Sequence, residues 1–297
     1  HEIAWGQAAV TEPRRRWIPA TERTTATSDG LRLGQAEFDR LGRLTALDGI
    51  AMDGPRLDLW RAPTDNDEGW AGQEQPVATE WRRIGLHRLQ HRLVSLADDG
   101  DTLTVTTRVG PAATDLAFLA VYRWTADSDK VRLDVDVRPA GGWIAVLPRI
   151  GVRLAIPGAL DRVSWFGCGP GESYPDSHRA ARVGRFDTTV DEWQTPYVFP
   201  QENGNRAGVR WATFTSDDGR RLRIDGDPTV NLTARRWTSE DLDAAGHTSD
   251  LRAGERIWLN VDVAEQGIGS ASCGPGVLPE HRLVPARSAL RMVLSTT

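Results

Sequence analysis

The sequence predicts an all-β protein, a large antiparallel β-sandwich carrying one short helix. Three observations predict it. Apolar residues recur at period two in several separated runs, turn-forming pairs punctuate those runs, and strands do not alternate regularly with helices. A strand points successive side chains to opposite faces, so alternation marks a strand with one face in a core and one in water.

The elements follow in chain order. His1-Glu2-Ile3-Ala4-Trp5 reads as a lone strand, and Thr11-Glu12-Pro13-Arg14-Arg15-Arg16 as a polar, proline-broken linker. The chain therefore divides into residues 1–22 and 23–297. Asp29-Gly30 is a turn. The stretch from about Glu74 to Ile84 is the single helical segment, because Trp81 and Ile84 share a face and Gly85 suits a helix stop. After the Asp99-Gly100 turn comes Leu103-Val105-Thr107. Val131, Leu133, Val135 and Val137 then point one way while Arg132, Asp134 and Asp136 point the other. Gly141-Gly142 turns the chain toward Val152-Leu154-Ile156. Asp217-Asp218-Gly219 joins Val209-Arg210-Trp211 to Leu222-Arg223-Ile224 as a hairpin. Ile257, Leu259, Val261 and Val263 alternate with Trp258, Asn260 and Asp262, and Leu290-Met292-Leu294 is the last strand. A TIM barrel or a Rossmann domain needs a helix after each strand, so neither can be built; two packed layers bury one-sided strands.

Composition narrows the function. The 297 residues are 39% hydrophobic and 26% charged, which fits a globular protein and excludes disordered, collagenous and disulfide-stapled classes. No run approaches the roughly 18 apolar residues of a membrane-spanning helix, so no membrane partner is expected. Net charge is −5 with basic residues scattered among acids, which leaves no footprint for nucleic acid. All of the basic residues except Lys130 are arginine, a bias of composition. Cys168 and Cys273 form no CxxC pair, which excludes zinc-knuckle and thioredoxin motifs and fits a reducing, cytoplasmic setting. The start at His1, without an initiator Met or a leader, reads like a piece of something longer.

Three segments are richer than strands require: Arg61 to Gly69 (RAPTDNDEG), Trp165 to Asp176 (WFGCGPGESYPD) and Thr195 to Gly204 (TPYVFPQENG). Each mixes carboxylates or amides, with aromatics within or alongside, in a backbone fixed by Gly or Pro. Sugars require that mixture: their C–H faces stack on rings and their hydroxyls bond to Asp, Glu and Asn. Asn66, Asp67, Glu202 and Asn203 are the candidate contacts. Each also has a plainer reading. Asp65, Asn66 and Asp67 could hold a cation, or simply Asx-turns in their own loop; Glu202 and Asn203 could lock the end of a Tyr197-Val198-Phe199 strand. Glu172, Tyr174 and Asp176 read first as structural or interdomain, and Cys168 as inert packing. Trp60, Trp70 and Trp193 lie close to these loops.

Together with WLNVDVAEQGIGSASCGPGVLPEHRL, these segments resemble, in the same order, the C-terminal domain of the long bacterial β-galactosidases of glycoside hydrolase family 2, the β-galactosidase small chain. The resemblance runs from about Ala36 to Leu294, and His1 to Gln7 resembles the last strand of a preceding immunoglobulin-like domain. It implies a supersandwich of the galactose-mutarotase-like type within a retaining enzyme that removes terminal β-galactose, as from lactose. Such an enzyme needs two carboxyl groups about 5–5.5 Å apart. The resemblance places both, with the Mg²⁺ and Na⁺ ligands, on a TIM barrel upstream of His1, so this chain is expected to carry no catalytic pair, cofactor or metal of its own. Its implied partners are the barrel and immunoglobulin-like domains of the same polypeptide, the β-galactoside, and further copies of the full-length enzyme.

The resemblance also assigns pocket residues. In the family a side chain after the Gly-x-Gly of this last motif, often Trp, forms a platform beside the sugar; the matching position is Cys273, one residue shorter in spacing. A thiol stacks over far less area than an indole, so the outer sugar subsite is expected to differ. Gly69 matches the start of a mobile loop running to about Gln75, where positive φ suits a hinge. A stand-alone sugar-binding or aldose 1-epimerase-like domain is the rival reading, although the histidines fall in no motif matched to that chemistry. A purely structural assembly domain is a third.

Overall fold

The computed structural model describes residues 5–11, 18–69 and 76–296. All but Trp5 of the strand expected at His1–Trp5, most of the linker, Trp70 and the loop beyond Gly69 lie outside the described residues. A small antiparallel meander comes first: β1 (Thr24–Ala26), β2 (Gly30–Leu33), β3 (Ala36–Asp39), β4 (Leu44–Leu47) and β5 (Ile50–Ala51). Next are β6 (Asp53–Asp58), α1 (Asp65–Glu68), α2 (Val77–Ile84), β7 (Leu89–Asp98), β8 (Leu103–Pro111), β9 (Ala117–Asp127) and β10 (Lys130–Ala140). The remainder comprises β11 (Arg149–Pro157), β12 (Arg162–Gly169), β13 (Arg182–Thr189), β14 (Arg206–Thr215), β15 (Arg221–Arg235), α3 (Ser239–Ala244), β16 (Arg256–Glu265) and β17 (Ser288–Thr296).

Strands β6 to β17 form one twelve-stranded sheet ordered β13-β12-β14-β15-β17-β10-β9-β8-β7, with β16, β11 and β6 branching from β15. The branch explains how one sheet makes two layers. Leu222 to Gly226 of β15 pair with β17, whereas Asn231 to Arg235 pair with β16. The strand changes partners at a corner where Gly226 packs so tightly that a Cβ would sit 2.8 Å from Val209 O and Val230 N. Between the layers the predicted alternation fills the core: Val131, Leu133, Val135 and Val137 of β10 are all buried. Aromatic side chains seal it, with Phe38 edge-on to Trp124 at 5.1 Å and Trp165 against Trp193 at 4.8 Å.

The fold class holds, with physically instructive differences. Helix α2 ends at Gly85, whose φ of +86° lets its N–H donate back to Trp81 O and Arg82 O. Two short helices join it, α1 and α3, each opened by a reciprocal box in which a Thr and the Asp three residues later exchange bonds (Thr64 with Asp67, Thr238 with Asp241). Tyr197, Val198 and Phe199 form no strand and are exposed. On β16, Asn260 and Asp262 were expected to face water but are buried, because β16 lies between β11 and β15 and its second face carries a polar layer.

Candidate functional site

The site is built on α1. Its opening box fixes Thr64 and Asp67, and both oxygens of the Asp67 carboxylate also accept from Arg61 Nη2, at 2.8 and 2.9 Å. Arg61 is wholly buried and reaches on to Gln266 O at 2.8 Å and Gly267 O at 3.2 Å. One guanidinium therefore binds the first motif to the last. The turn ends at Gly69, whose φ of +64° only glycine adopts cheaply and whose N–H donates to Asp65 O.

Asn66 lies on the opposite side of this turn and organises the Gly267–Gly276 loop. Its Nδ2 donates to Gly269 O at 2.8 Å, and its Oδ1 accepts from Ser272 N at 2.9 Å and Ser272 Oγ at 2.8 Å. Asp176 holds the start of the same loop, accepting from Ile268 N at 3.1 Å and Gly269 N at 2.7 Å. Cys273 N then donates to Ser270 O, which leaves the thiol side exposed at the tip. Replacing Asn66 with Ala removes three bonds, each of net worth about 0.5–1.5 kcal/mol. Hydrogen exchange at the Ser272 amide should accelerate at least about tenfold; an unchanged rate would mean that the loop holds its shape without Asn66.

The third motif closes the back of the site. Gln201 bonds to Asp65 through both ends of its amide, and Glu202 N donates to Ala62 O. The Glu202 side chain faces inward, where Arg149 Nη2 meets its Oε1 at 2.8 Å and Arg235 Nη2 meets the same oxygen at 2.7 Å. Arg149 also contacts Glu265 at 3.0 Å and Asp262 at 3.6 Å. Burial works against the Glu202 charge, but Arg149 and Arg235 outweigh it and hold the carboxyl below its usual range. Asp262 goes the other way: burial pushes it well above its usual value despite Arg149, and burial raises Glu265 too.

A pH dependence follows from Asp262. The folded state retains a proton that the unfolded chain releases above about pH 4, so this group costs stability as pH rises through that point. Asp262→Asn stays neutral throughout. Its urea midpoint should therefore gain on the parent's between pH 4 and 8; a constant difference would show that Asp262 is ionised in the fold.

A cleft of about 390 Å³ opens beside α1, lined by Asn66, Asp67, Gly69, Val77, Val146, Gln266, Ala271, Val277 and Arg282 among others. Of the expected site residues, Asn66, Asp67 and Gly69 line this cleft, and Cys273 stands on the loop that forms its far wall. Glu202 and Asn203 lie in the buried layer behind it; the Asn203 amide bonds to Thr195 N and Gln201 O. Trp60 and Trp193 belong to the core, Trp60 against Trp81 and Trp193 donating to Gly204 O. Cys168 is half-buried, and burial pushes its thiol up.

Sequence reasoning missed Arg61, Arg149, Arg235 and Gln266. Arg61 and Gln266 had a signal, their places within marked motifs; Arg149 and Arg235 had none. Gln266 is 1% exposed and lines the cleft with no partner for its Nε2 among the described residues.

A family model described as beta galactosidase small chain matches residues 35–294. A β-galactosidase of Arthrobacter sp. strain B7 is 36% identical over 294 residues, covering 92% of this chain and 29% of the relative. One from Kluyveromyces lactis is 28% identical, covering 95% of this chain and 29% of the relative. The chain thus spans under a third of the length of these relatives. Among solved structures, a galactose mutarotase-like protein from Lactobacillus casei has a TM-score of 0.44 at 11% identity, covering 93% of this chain and all of that one.

Proposed function

This chain belongs to the β-galactosidase small-chain family, and from that premise we propose that it is a non-catalytic domain of a retaining β-galactosidase, walling one side of the galactoside pocket and buttressing the catalytic barrel. The observation that carries the reading is the Asn66 bridge. It sets Gly69 and the Cys273 loop on the rim of one cleft, although they lie some 200 positions apart in sequence.

The division of labour follows from the carboxyl groups. A retaining hydrolase presents an acid/base and a nucleophile to a glycosidic oxygen and an anomeric carbon. In this chain Glu202 and Glu265 are sealed in the interior against Arg149, and Asp67 is held by Arg61. Carboxyls so engaged suit neither bond cleavage nor metal ligation. In this reading the catalytic pair, the Mg²⁺ and the Na⁺ therefore belong to the rest of the polypeptide. Here the cleft contributes shape and a small thiol on its rim. Compared with the ring that the family resemblance implies at this position, a thiol leaves the outer sugar with less apolar contact.

The test is turnover of o-nitrophenyl β-galactoside by the 297-residue chain. The expected rate is that of buffer. Turnover that copurifies with the chain through successive columns would overturn the reading.

A further inference from the structure

Strands β6 and β11 pair so that Arg56 stands directly opposite Arg153. Residues opposed in that way put their side chains on one face of the sheet, and like charges so placed repel. Both line a cavity of about 110 Å³, together with His87 and Arg88 from the 3₁₀ turn after α2, His91 of β7 and Glu240 of α3. We propose that this cavity binds a phosphate group, either inorganic phosphate or the phosphoryl end of a small organic phosphate, as a site independent of the β-galactosidase reading. It shares no lining residue with the cleft beside α1.

Donors open to solvent carry the inference. Among the described residues neither Arg56 nor Arg88 has a hydrogen bond or an ion pair. Arg88 is exposed and Arg56 half-buried, and no nitrogen of the Arg56 guanidinium is sealed from solvent. Arg153 lies over the Trp258 ring at 5.6 Å and engages Glu240 through Nη1 at 2.5 Å, while its Nη2 stays accessible and unpaired. The two carboxylates of the lining do not balance this charge. Glu240 is taken by Arg153, and Asp58 accepts from Trp60 N and Asn260 Nδ2. Three guanidiniums against two carboxylates leave an excess of one positive charge around the cavity. His87 registers that field, for burial and then the Arg88 charge push it below its usual range.

The class of ligand follows from the donors. A guanidinium presents its N–H groups as a planar fork that matches the oxygens of a phosphate or a carboxylate. Here the forks arrive from three elements, β6, β11 and the turn after α2. A tetrahedral anion, with oxygens on all sides, engages them together, whereas a planar carboxylate serves one or two. The volume is a few times the ~30 Å³ share of a water molecule, which is room for one phosphate group but not for a sugar besides. A dianion also offsets the repulsion between Arg56 and Arg153 that the fold leaves in place.

The experiment is isothermal titration calorimetry of the 297-residue chain with inorganic phosphate and with glucose 6-phosphate, at neutral pH and constant ionic strength. Saturable binding at one site is expected. Arg56→Met and Arg88→Met should each weaken it about tenfold through the loss of charge-assisted bonds, while Arg162→Met, which removes an arginine elsewhere on the surface, leaves it unchanged. Neither Arg56 nor Arg88 has a partner to lose among the described residues, so the urea midpoints of their variants should match the parent's. Affinities for the two ligands within about tenfold of each other assign the site to the phosphoryl group alone, and a larger gap names the tighter ligand as the occupant. The proposal fails if neither ligand binds saturably, or if both Arg56→Met and Arg88→Met bind like the parent. It also fails if Arg162→Met weakens binding equally, which would make the attraction a diffuse surface charge.

Discussion

Arg149→Met is expected to lower the unfolding free energy by about 3–5 kcal/mol. The Arg149 side chain is wholly buried, as are those of Glu202, Glu265 and Asp262 around it. Methionine fills much of the same volume, so the loss reports charge, not a cavity. Without Arg149, Glu202 retains Arg235, but Glu265 is left as a buried carboxyl with no other ion pair among the described residues. Water cannot reach it, and the surviving charge bears the full cost of desolvation. Contrast the Arg162–Asp217 pair, with side chains 52% and 97% exposed, whose removal should change stability by no more than about 1 kcal/mol. Urea denaturation of Arg149→Met and Arg162→Met measures both, and equal losses would refute the buried-cluster account.

Gly151→Ala carries an effect of similar size for a steric reason. Gly151 pairs with Asp262 beside the irregularity at Ile150. A Cβ placed there would lie 1.9 Å from Asp262 Oδ1 and 2.6 Å from both Asp262 Cα and Val261 O. Two of those atoms are backbone of a strand paired on both sides, so relief requires β11 and β16 to part. A loss of at least about 3 kcal/mol is expected. Gly171, with nothing within 4 Å of its added Cβ, is the internal control; its alanine variant should stay within about 0.5 kcal/mol of the parent. Thermal unfolding of the pair decides the matter, and a Gly151→Ala variant as stable as Gly171→Ala would contradict the close approach.

What the sequence made legible was local. The β10 alternation, the α2 stop at Gly85 and the hairpin at Asp218-Gly219 rest on neighbouring residues, and each is found in place. The burial of Asp262 was illegible, because an alternating aspartate reads as solvent-facing until Arg149, 113 positions earlier in the numbering, is brought beneath it. Helix α1 is a single turn, too short for any periodicity, although Thr64 and Asp67 carried its capping signal. Residues of the first and last motifs meet at one cleft, as their common marking in the sequence suggested. Asn66 illustrates the limit: its residue type pointed to sugar or to its own loop, whereas its amide is engaged by Gly269 and Ser272, 203 and 206 positions away.

Strand β17 sits between β15 and β10 and, among the described residues, is the sole strand by which the β7–β10 arm pairs with the rest of the large sheet. A ribosome releases Ser288–Thr296 after every other strand of the chain. During synthesis the β7–β10 meander therefore waits with the β10 backbone edge open, and the two layers join only when that final strand arrives. Such an interval is when a nascent sheet is most exposed to pairing with a neighbouring chain, and when a chaperone has most to protect.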